Sequence, residues 1–207
     1  MASHLENLKH PVQKIGLYIL CGGASSRMGQ CKTTVSINEK TMLQHLLDQL
    51  KPLGYPISLV GKETQRPLVQ SYNVGFITDH NQTRHPLNGV IVALEQAVRE
   101  QIHSVLILPC DTPFLQTSSL QRLLEHSPSV AIDPDDQIHP LIIHLPLDWL
   151  DRARHYRHHQ ASMKRFAEGA ISVRIAHDQL QNINAPSDIP LPIVSTPEDL
   201  PCSPLPP

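Results

Sequence analysis

Two hydrophobic rhythms alternate along this chain. Short, nearly unbroken apolar runs fall at residues 15–21, 57–60, 75–78, 104–108, 129–132, 139–144 and 171–175, and each predicts a strand. The first run is apolar almost throughout, the signature of a strand covered on both faces, as in a parallel sheet. Between the runs, apolar residues recur every third or fourth position. Leu43, Leu46, Leu47 and Leu50 form one such stripe; Thr41-Met-Leu-Gln44 opens it with the form of a capping box, and Pro52 and Gly54 close it. A second stripe, Val90, Leu94, Ala97 and Val98, follows Pro86-Leu-Asn-Gly89. Further helices are expected near 118–125, 147–158 and 162–168. The alternation predicts an α/β layered fold with a mostly parallel sheet. After the turn at 133–136, residues 139–144 are expected to join as a late antiparallel strand.

The two ends follow neither rhythm. Residues 1–14 are expected to be a flexible leader and 15–189 a single domain. Proline is dense beyond Asn184, so 190–207 is expected to be a disordered tail. At 207 residues, with 40% apolar but 4% aromatic content, the core must be built from Leu, Ile and Val. A net charge of −2 gives no basic footprint, which argues against a nucleic-acid partner. No secretory apolar region stands at the N-terminus and no run approaches membrane-spanning length. Cys21, Cys31, Cys110 and Cys202 form no Cys-x-x-Cys pair. A cytoplasmic, reduced protein without membrane attachment is expected.

Candidate chemistry starts where the first strand ends. Leu20-Cys-Gly-Gly-Ala-Ser-Ser-Arg-Met-Gly29, with Lys32 beyond, places small residues, hydroxyls and two cations in one loop. Gly22 and Gly23 allow close backbone approach to an anion. Their N–H groups and the Ser25 and Ser26 hydroxyls are donors for phosphate oxygens, and Arg27 and Lys32 supply charge. The spacing is neither a P-loop nor a dinucleotide fingerprint, and on its own a Gly-Gly turn after a strand reads equally well as a tight connection. Asp79 and Asp111 each follow a predicted strand. A carboxylate there lies at the sheet edge where open α/β folds bind ligands, and magnesium needs only one or two; each is equally a turn-former. His155, His158 and His159 lie at helical spacing among Arg152, Arg154 and Arg157, which reads as a solvated helix face rather than a metal site. Trp149 reads as a packing residue.

The glycine loop is similar to the Leu-Ala-Gly-Gly-x-Ser-x-Arg-Met-Gly-x-x-Lys signature of the MobA-like nucleotidyltransferases. The similarity continues through Phe76-Ile-Thr-Asp79, Pro86-Leu-Asn-Gly89, Pro109-Cys-Asp-Thr-Pro113, His139-Pro140 and Asn182-Ile-Asn-Ala-Pro186, in family order over residues 15–189. The Gly-Gly form and the Asn-Ile-Asn-x-Pro block resemble the guanylyltransferase branch. The resemblance implies a Rossmann-like domain of the nucleotide-diphospho-sugar-transferase type that binds GTP and Mg2+. It also implies transfer of GMP to molybdopterin with release of pyrophosphate, and further partners among cofactor-biosynthesis proteins and molybdoenzymes.

By position, the resemblance implies that Leu20, Cys21, Gly22, Gly23, Ser25, Lys32, Gly61, Asp79 and Asp111 meet the nucleotide. Asp111 would hold the metal, and Arg27, Lys32 and Asp111 would carry catalysis. Pro86, Asn88, Gly89, His139 and Asn184 are implied for substrate. The chain departs from the family pattern at Cys31, at His85 before Pro86, and at Gly61, where some members carry asparagine near the base. A cytidylyltransferase or other small-substrate nucleotidyltransferase, and a non-catalytic nucleotide-binding paralogue, are the alternatives.

Overall fold

The apolar run after Lys14 forms β1 (Ile15–Leu20), buried at every position. In the computed structural model, which describes residues 14–21, 34–183 and 188, β1 is a central strand. The expected leader through residue 13, the glycine loop at 22–33, Asn184 and the expected tail at 190–207 lie outside the described residues. The chain continues through a small hairpin, β2 (Ser36–Ile37) and β3 (Lys40–Thr41), into α1 (Met42–Leu50). Then come β4 (Ile57–Gly61), α2 (Arg66–Val69), β5 (Gly75–Thr78), α3 (Pro86–Arg99), β6 (Ser104–Pro109), α4 (Thr117–Leu124) and β7 (Ser129–Ile132). Last are β8 (Ile138–Pro146), α5 (Trp149–His158), α6 (Met163–Phe166) and β9 (Ile171–Arg174).

Seven strands make one sheet in the order β5-β4-β1-β6-β8-β7-β9. The pairs β4–β5, β1–β4, β1–β6 and β7–β9 are parallel, and β8 runs antiparallel to both β6 and β7. The expected late antiparallel strand is therefore an interior one. One consequence governs the site: every strand of the sheet except β8 ends on one rim, and β8 begins there.

Both faces of β1 are covered, which explains its unbroken hydrophobicity. Ile15, Leu17, Ile19 and Cys21 pack with the α1 leucines, with Leu120 and Leu123 of α4, and with Leu106 and Leu108 of β6. Tyr18 and Leu20 face the other way, toward Leu87, Val90 and Leu94 of α3, with α5 and α6 extending that layer. The helix expected from 41–44 starts as the sequence predicts: Thr41 is the N-cap and its hydroxyl accepts from Gln44 N at 3.1 Å. Trp149 packs edge-on against Phe166, with 5.3 Å between ring centroids, and Arg152 lies over its face. His155 and His159 stack at 4.6 Å at the end of α5.

Four details differ from the sequence expectation. The helix expected at 162–168 is the single turn of α6, and the helix expected from 147 begins at Trp149. The hairpin β2–β3 was not anticipated; its turn residues Asn38 and Glu39 both adopt positive φ, 45° and 69°, without the glycine that usually marks such a turn. Nor was the stretch after β4, where two 3-10 turns flank α2 around Pro67.

Candidate active site

The strand order β5-β4-β1-β6 reverses direction at β1, and open α/β sheets bind ligands in the crevice such a reversal creates. Four strand ends meet there. Leu20 ends β1 and Cys21 follows, its N–H donating to Val60 O at 2.8 Å; from here the chain enters the glycine loop. On one side lie Gly61, ending β4, and Asp79, following β5. On the other lies Asp111, just past β6. Neighbouring strands are about 4.8 Å apart, so Asp79 and Asp111, three strands apart, are separated by roughly 14 Å. Carboxylates on strands that far apart are spaced for different parts of one elongated ligand rather than for one atom.

Asp111 sits on a fixed loop. Cys110 N donates to Leu20 O at 3.2 Å, which extends the β1–β6 pairing by one residue. Ile183 N donates to the Asp111 carbonyl at 2.9 Å, and the buried Thr112 hydroxyl donates to Pro109 O at 3.2 Å. Ile183 is itself fully buried against Val35, Ile37 and Met42, so this tie is anchored in a small core of its own. The Asp111 residue is half-buried on this rigid turn.

Asp79 is held differently. Its N–H donates to Gly61 O at 2.7 Å. Its Oδ1 accepts from Asn81 N at 2.9 Å and from Asn81 Nδ2 at 2.7 Å, and its Oδ2 accepts from Lys62 Nζ at 2.9 Å. Burial pushes this carboxyl up, but the Asn81 and Lys62 hydrogen bonds outweigh it and hold the group below the usual aspartate range. Lys62 also donates to the Asp79 carbonyl at 2.9 Å and to Asn81 O at 2.5 Å. Lys62 was missed from the sequence, where a lysine after a strand looks like any solvated cation.

A Cβ at Gly61 would lie 2.6 Å from Gln65 Oε1, so a side chain there would have to displace the end of Gln65. Gln65 fills that space. Its Nε2 donates to Cys21 O at 2.8 Å and its Oε1 accepts from Lys62 N at 2.8 Å. Gln65, also missed from the sequence, thus ties the departure point of the glycine loop to the end of β4.

The substrate candidates divide. Pro86 is exposed in the first turn of α3, and His85 caps that helix, its Nδ1 accepting from Leu87 N at 3.2 Å. Asn88 is buried, 3% exposed; its Nδ2 donates to Thr83 O at 2.6 Å and its Oδ1 accepts from Arg157 Nε at 2.5 Å. Arg157 also donates to the Thr83 hydroxyl, so Asn88 ties α3 and its preceding loop to α5. At Gly89 a Cβ would lie 3.0 Å from Leu20 Cδ2, so this glycine lets α3 approach β1 closely. His139 is the second residue of β8, near the rim. Its Nε2 lies 3.6 Å from Asp133 Oδ2, and Asp133 Oδ1 accepts from the N–H groups of Asp135 and Gln137. Gly22, Gly23, Ser25, Arg27, Lys32 and Asn184 lie outside the described residues.

A rim with a small-residue loop leaving its switch-point strand, and carboxylates on either side, suits an extended phosphorylated ligand. The sequence matches the MobA-like NTP transferase domain over residues 17–179. The chain belongs to the MobA-like NTP transferase family. Among curated relatives, the Haemophilus influenzae molybdenum cofactor guanylyltransferase is 26% identical over 84% of this chain and 95% of its own. A probable molybdenum cofactor guanylyltransferase of Flavobacterium johnsoniae is 30% identical over 63% of this chain and 68% of its own. The MobA-like fold extends to solved structures. Archaeoglobus fulgidus molybdopterin-guanine dinucleotide biosynthesis protein A superposes with TM-score 0.66 at 20% identity, covering 84% of this chain and 94% of that one. CMP:2-keto-3-deoxy-manno-octonic acid synthetase, solved with CTP, gives 0.67 at 14% identity over the same share of each chain. The nucleotide-diphospho-sugar-transferase type of sheet expected from the sequence is the one observed.

Magnesium is the metal that the sequence resemblance implies. Asp111 fits it: a single carboxylate on a fixed turn is within the one or two that magnesium takes beside substrate phosphates and water. Among the described residues no group of three or more His, Cys, Asp or Glu is placed to hold a metal.

Proposed function

We propose that the protein transfers GMP from GTP to molybdopterin, forming the guanine dinucleotide form of the molybdenum cofactor and pyrophosphate. The observation that carries the reading is the convergence of Cys21, Asp79 and Asp111 on the rim at the sheet's switch point, in a chain whose family and curated relatives are nucleotidyl and guanylyl transferases. Residues 15–189 are taken as the catalytic domain, working in the cytoplasm. Among the described residues no helix is long and apolar enough to cross a membrane.

In this reading the backbone of Leu20, Cys21, Gly22 and Gly23, with Ser25, surrounds the phosphates. Asp79 and Gly61 meet the nucleoside end, and Asp111 stands at the phosphate end as the metal ligand. Mg2+, when bound, neutralises charge on the phosphates. A terminal phosphate oxygen of molybdopterin attacks the α-phosphorus of GTP; the new P–O bond forms as the bond to the β-phosphate oxygen breaks, and pyrophosphate departs. A phosphate monoester is largely ionised near neutral pH, so no strong general base is needed. Arg27 and Lys32 balance the charge that develops on the transferring and leaving groups. His139 and Asn184 belong to the acceptor side, while Pro86, Asn88 and Gly89 present the first turn of α3 to the substrate.

The test is pyrophosphate release from GTP, CTP and ATP, each with and without molybdopterin. Release from GTP alone among the three, dependent on molybdopterin and Mg2+, is expected. Release favouring CTP would reassign the base, and no release from any would leave a binding protein.

A further inference from the structure

Lys62 lies outside the family motif, yet its ammonium is fully engaged on the rim. Its ammonium has three donors, and three acceptors receive them: Asp79 Oδ2, Asp79 O and Asn81 O, at 2.9, 2.9 and 2.5 Å. Its own N–H is held by Gln65 Oε1, whose amide reaches Cys21 O. A continuous hydrogen-bonded chain therefore runs from the point where the glycine loop leaves β1, across the end of β4, to the carboxylate past β5. Asp79 has little freedom left within it. Asn81 supplies both donors that Oδ1 can readily take, and Lys62 supplies one of the two for Oδ2.

We propose that Lys62 is a positioning residue for nucleotide binding: it fixes the Asp79 carboxylate, ionised, so that one acceptor position on Oδ2 meets a single N–H or O–H donor of the nucleoside. This rests on the nucleotide-binding role proposed above for Asp79. The lysine contributes to ground-state and transition-state binding alike, because Asp79 lies roughly 14 Å from the metal carboxylate, three strands away, and so far from the bonds that change.

Other charges around Asp79 are held by their own partners. Glu63 pairs with Arg66 at 2.6 Å and accepts from the Thr78 hydroxyl, Arg66 also lies over the Phe76 ring, and His80 follows in the exposed loop. These groups stay in place when Lys62 alone is changed.

The experiment compares Lys62→Met, Lys62→Arg, Asp79→Asn and the Lys62→Met/Asp79→Asn double variant, on full-length protein shown by thermal unfolding to be folded. Steady-state rates with GTP, molybdopterin and Mg2+ are measured from acidic to neutral pH. Lys62→Met should raise KM for GTP about tenfold, the scale of one charge-assisted hydrogen bond, with kcat within about twofold. It should also move the acid limb of kcat/KM for GTP to higher pH, since the carboxyl loses its neighbouring cation. Lys62→Arg, which keeps the charge, should retain the wild-type acid limb even if Lys62→Met does not fold. The double variant should bind GTP no more weakly than Asp79→Asn alone. Additive losses in the double variant, an equal fall in kcat, or an acid limb displaced as far by arginine as by methionine would overturn the proposal. If Asp79→Asn raises KM while Lys62→Met keeps the wild-type KM and pH profile, Lys62 alone loses its role. If Asp79→Asn leaves KM for GTP unchanged, the nucleotide role of Asp79 falls, and this proposal with it.

Discussion

The two halves of the sheet meet the rim in different ways. In the β5-β4-β1-β6 half all strands run parallel, so each delivers its C-terminal end to the rim, and polar groups there are linked strand to strand: Asp79 to Lys62, Lys62 to Gln65, Gln65 to Cys21. In the β8-β7-β9 half the reversed strand β8 brings its first residues to the rim instead. Asp133, just past β7, accepts from backbone N–H groups of its own turn, and Arg174 at the end of β9 donates to the carbonyls of Asp133 and Pro134 and to the Asp136 carboxylate. The first arrangement fixes residues far apart in sequence against one another and suits a ligand that must lie across several strands. The second ties one turn, residues 133–136, to the end of the adjacent strand β9, with His139 of β8 beside that turn. In the proposed function the nucleotide side is thus linked across β5, β4 and β1, the acceptor side across β7 and β9 alone, and β6 with Asp111 stands between them.

The sharpest way to break this division is at its boundary. Asp111→Asn should lower Mg2+-dependent turnover by about 10²–10³-fold, the scale found when one group stabilising transition-state charge is lost, with the unfolding temperature nearly unchanged. Retention of the wild-type rate would move the metal ligand elsewhere. Next in size is the seam between α3 and α5 within one helix layer. Asn88→Ala removes the partner of Arg157 Nε and of Thr83 O and should cost about 1.5–3 kcal/mol. For a domain of this size that is about 2–4 °C per kcal/mol in unfolding temperature. A loss of acceptor binding without loss of stability would instead place Asn88 against substrate.

A pH titration of stability separates the halves further. His144 in β8 is buried, with Nδ1 2.6 Å from His126 O and Nε2 2.9 Å from the Ser104 hydroxyl. Burial depresses its pKa against the backbone contacts that raise it. The unfolded chain therefore takes up the proton first: stability is full above the ordinary histidine value of about 6.5 and falls as pH drops below it. Asp79 works at lower pH. Its depressed carboxyl contributes fully above the unfolded value near 3.9, and that contribution is lost as pH falls through the folded value. Hydrogen exchange followed from neutral to acidic pH should loosen β8 and β7 before β4 and β5; simultaneous loosening would count against the division. His85, also depressed by burial and by Arg157, adds a smaller fall in the histidine range at the start of α3. The smallest effect is expected for Gln65→Ala, about 1 kcal/mol from its two hydrogen bonds, measured by denaturant unfolding.

The legible parts of the sequence were those with a local cause. β1 and β6 announce themselves because both faces of each are apolar, and α3 because its stripe repeats at helical spacing. Asp79 and Asp111 were legible as strand-end carboxylates. Lys62 was not, because its acceptors come from residues 79 and 81, and no pattern within a few positions of a lysine reveals them. Asn88 shows a second case: the resemblance implies a substrate role for it, and its tie to Arg157, sixty-nine positions on, could not be read from the motif. The hairpin β2–β3 escaped because strands of two residues have no period to read and its turn lacks glycine.

The hydrogen bond from Ile183 to the Asp111 carbonyl has a consequence for how the protein is made. Everything needed to form β1, β4, β5 and β6 has been synthesised long before residue 183, so the nucleotide side of the sheet can assemble on the ribosome. The turn that carries Asp111 gains its last anchor only when Ile183 arrives and inserts against Val35, Ile37 and Met42. In the proposed function, the turn that bears the metal carboxylate is thus completed later than the nucleotide side, once residue 183 has been synthesised.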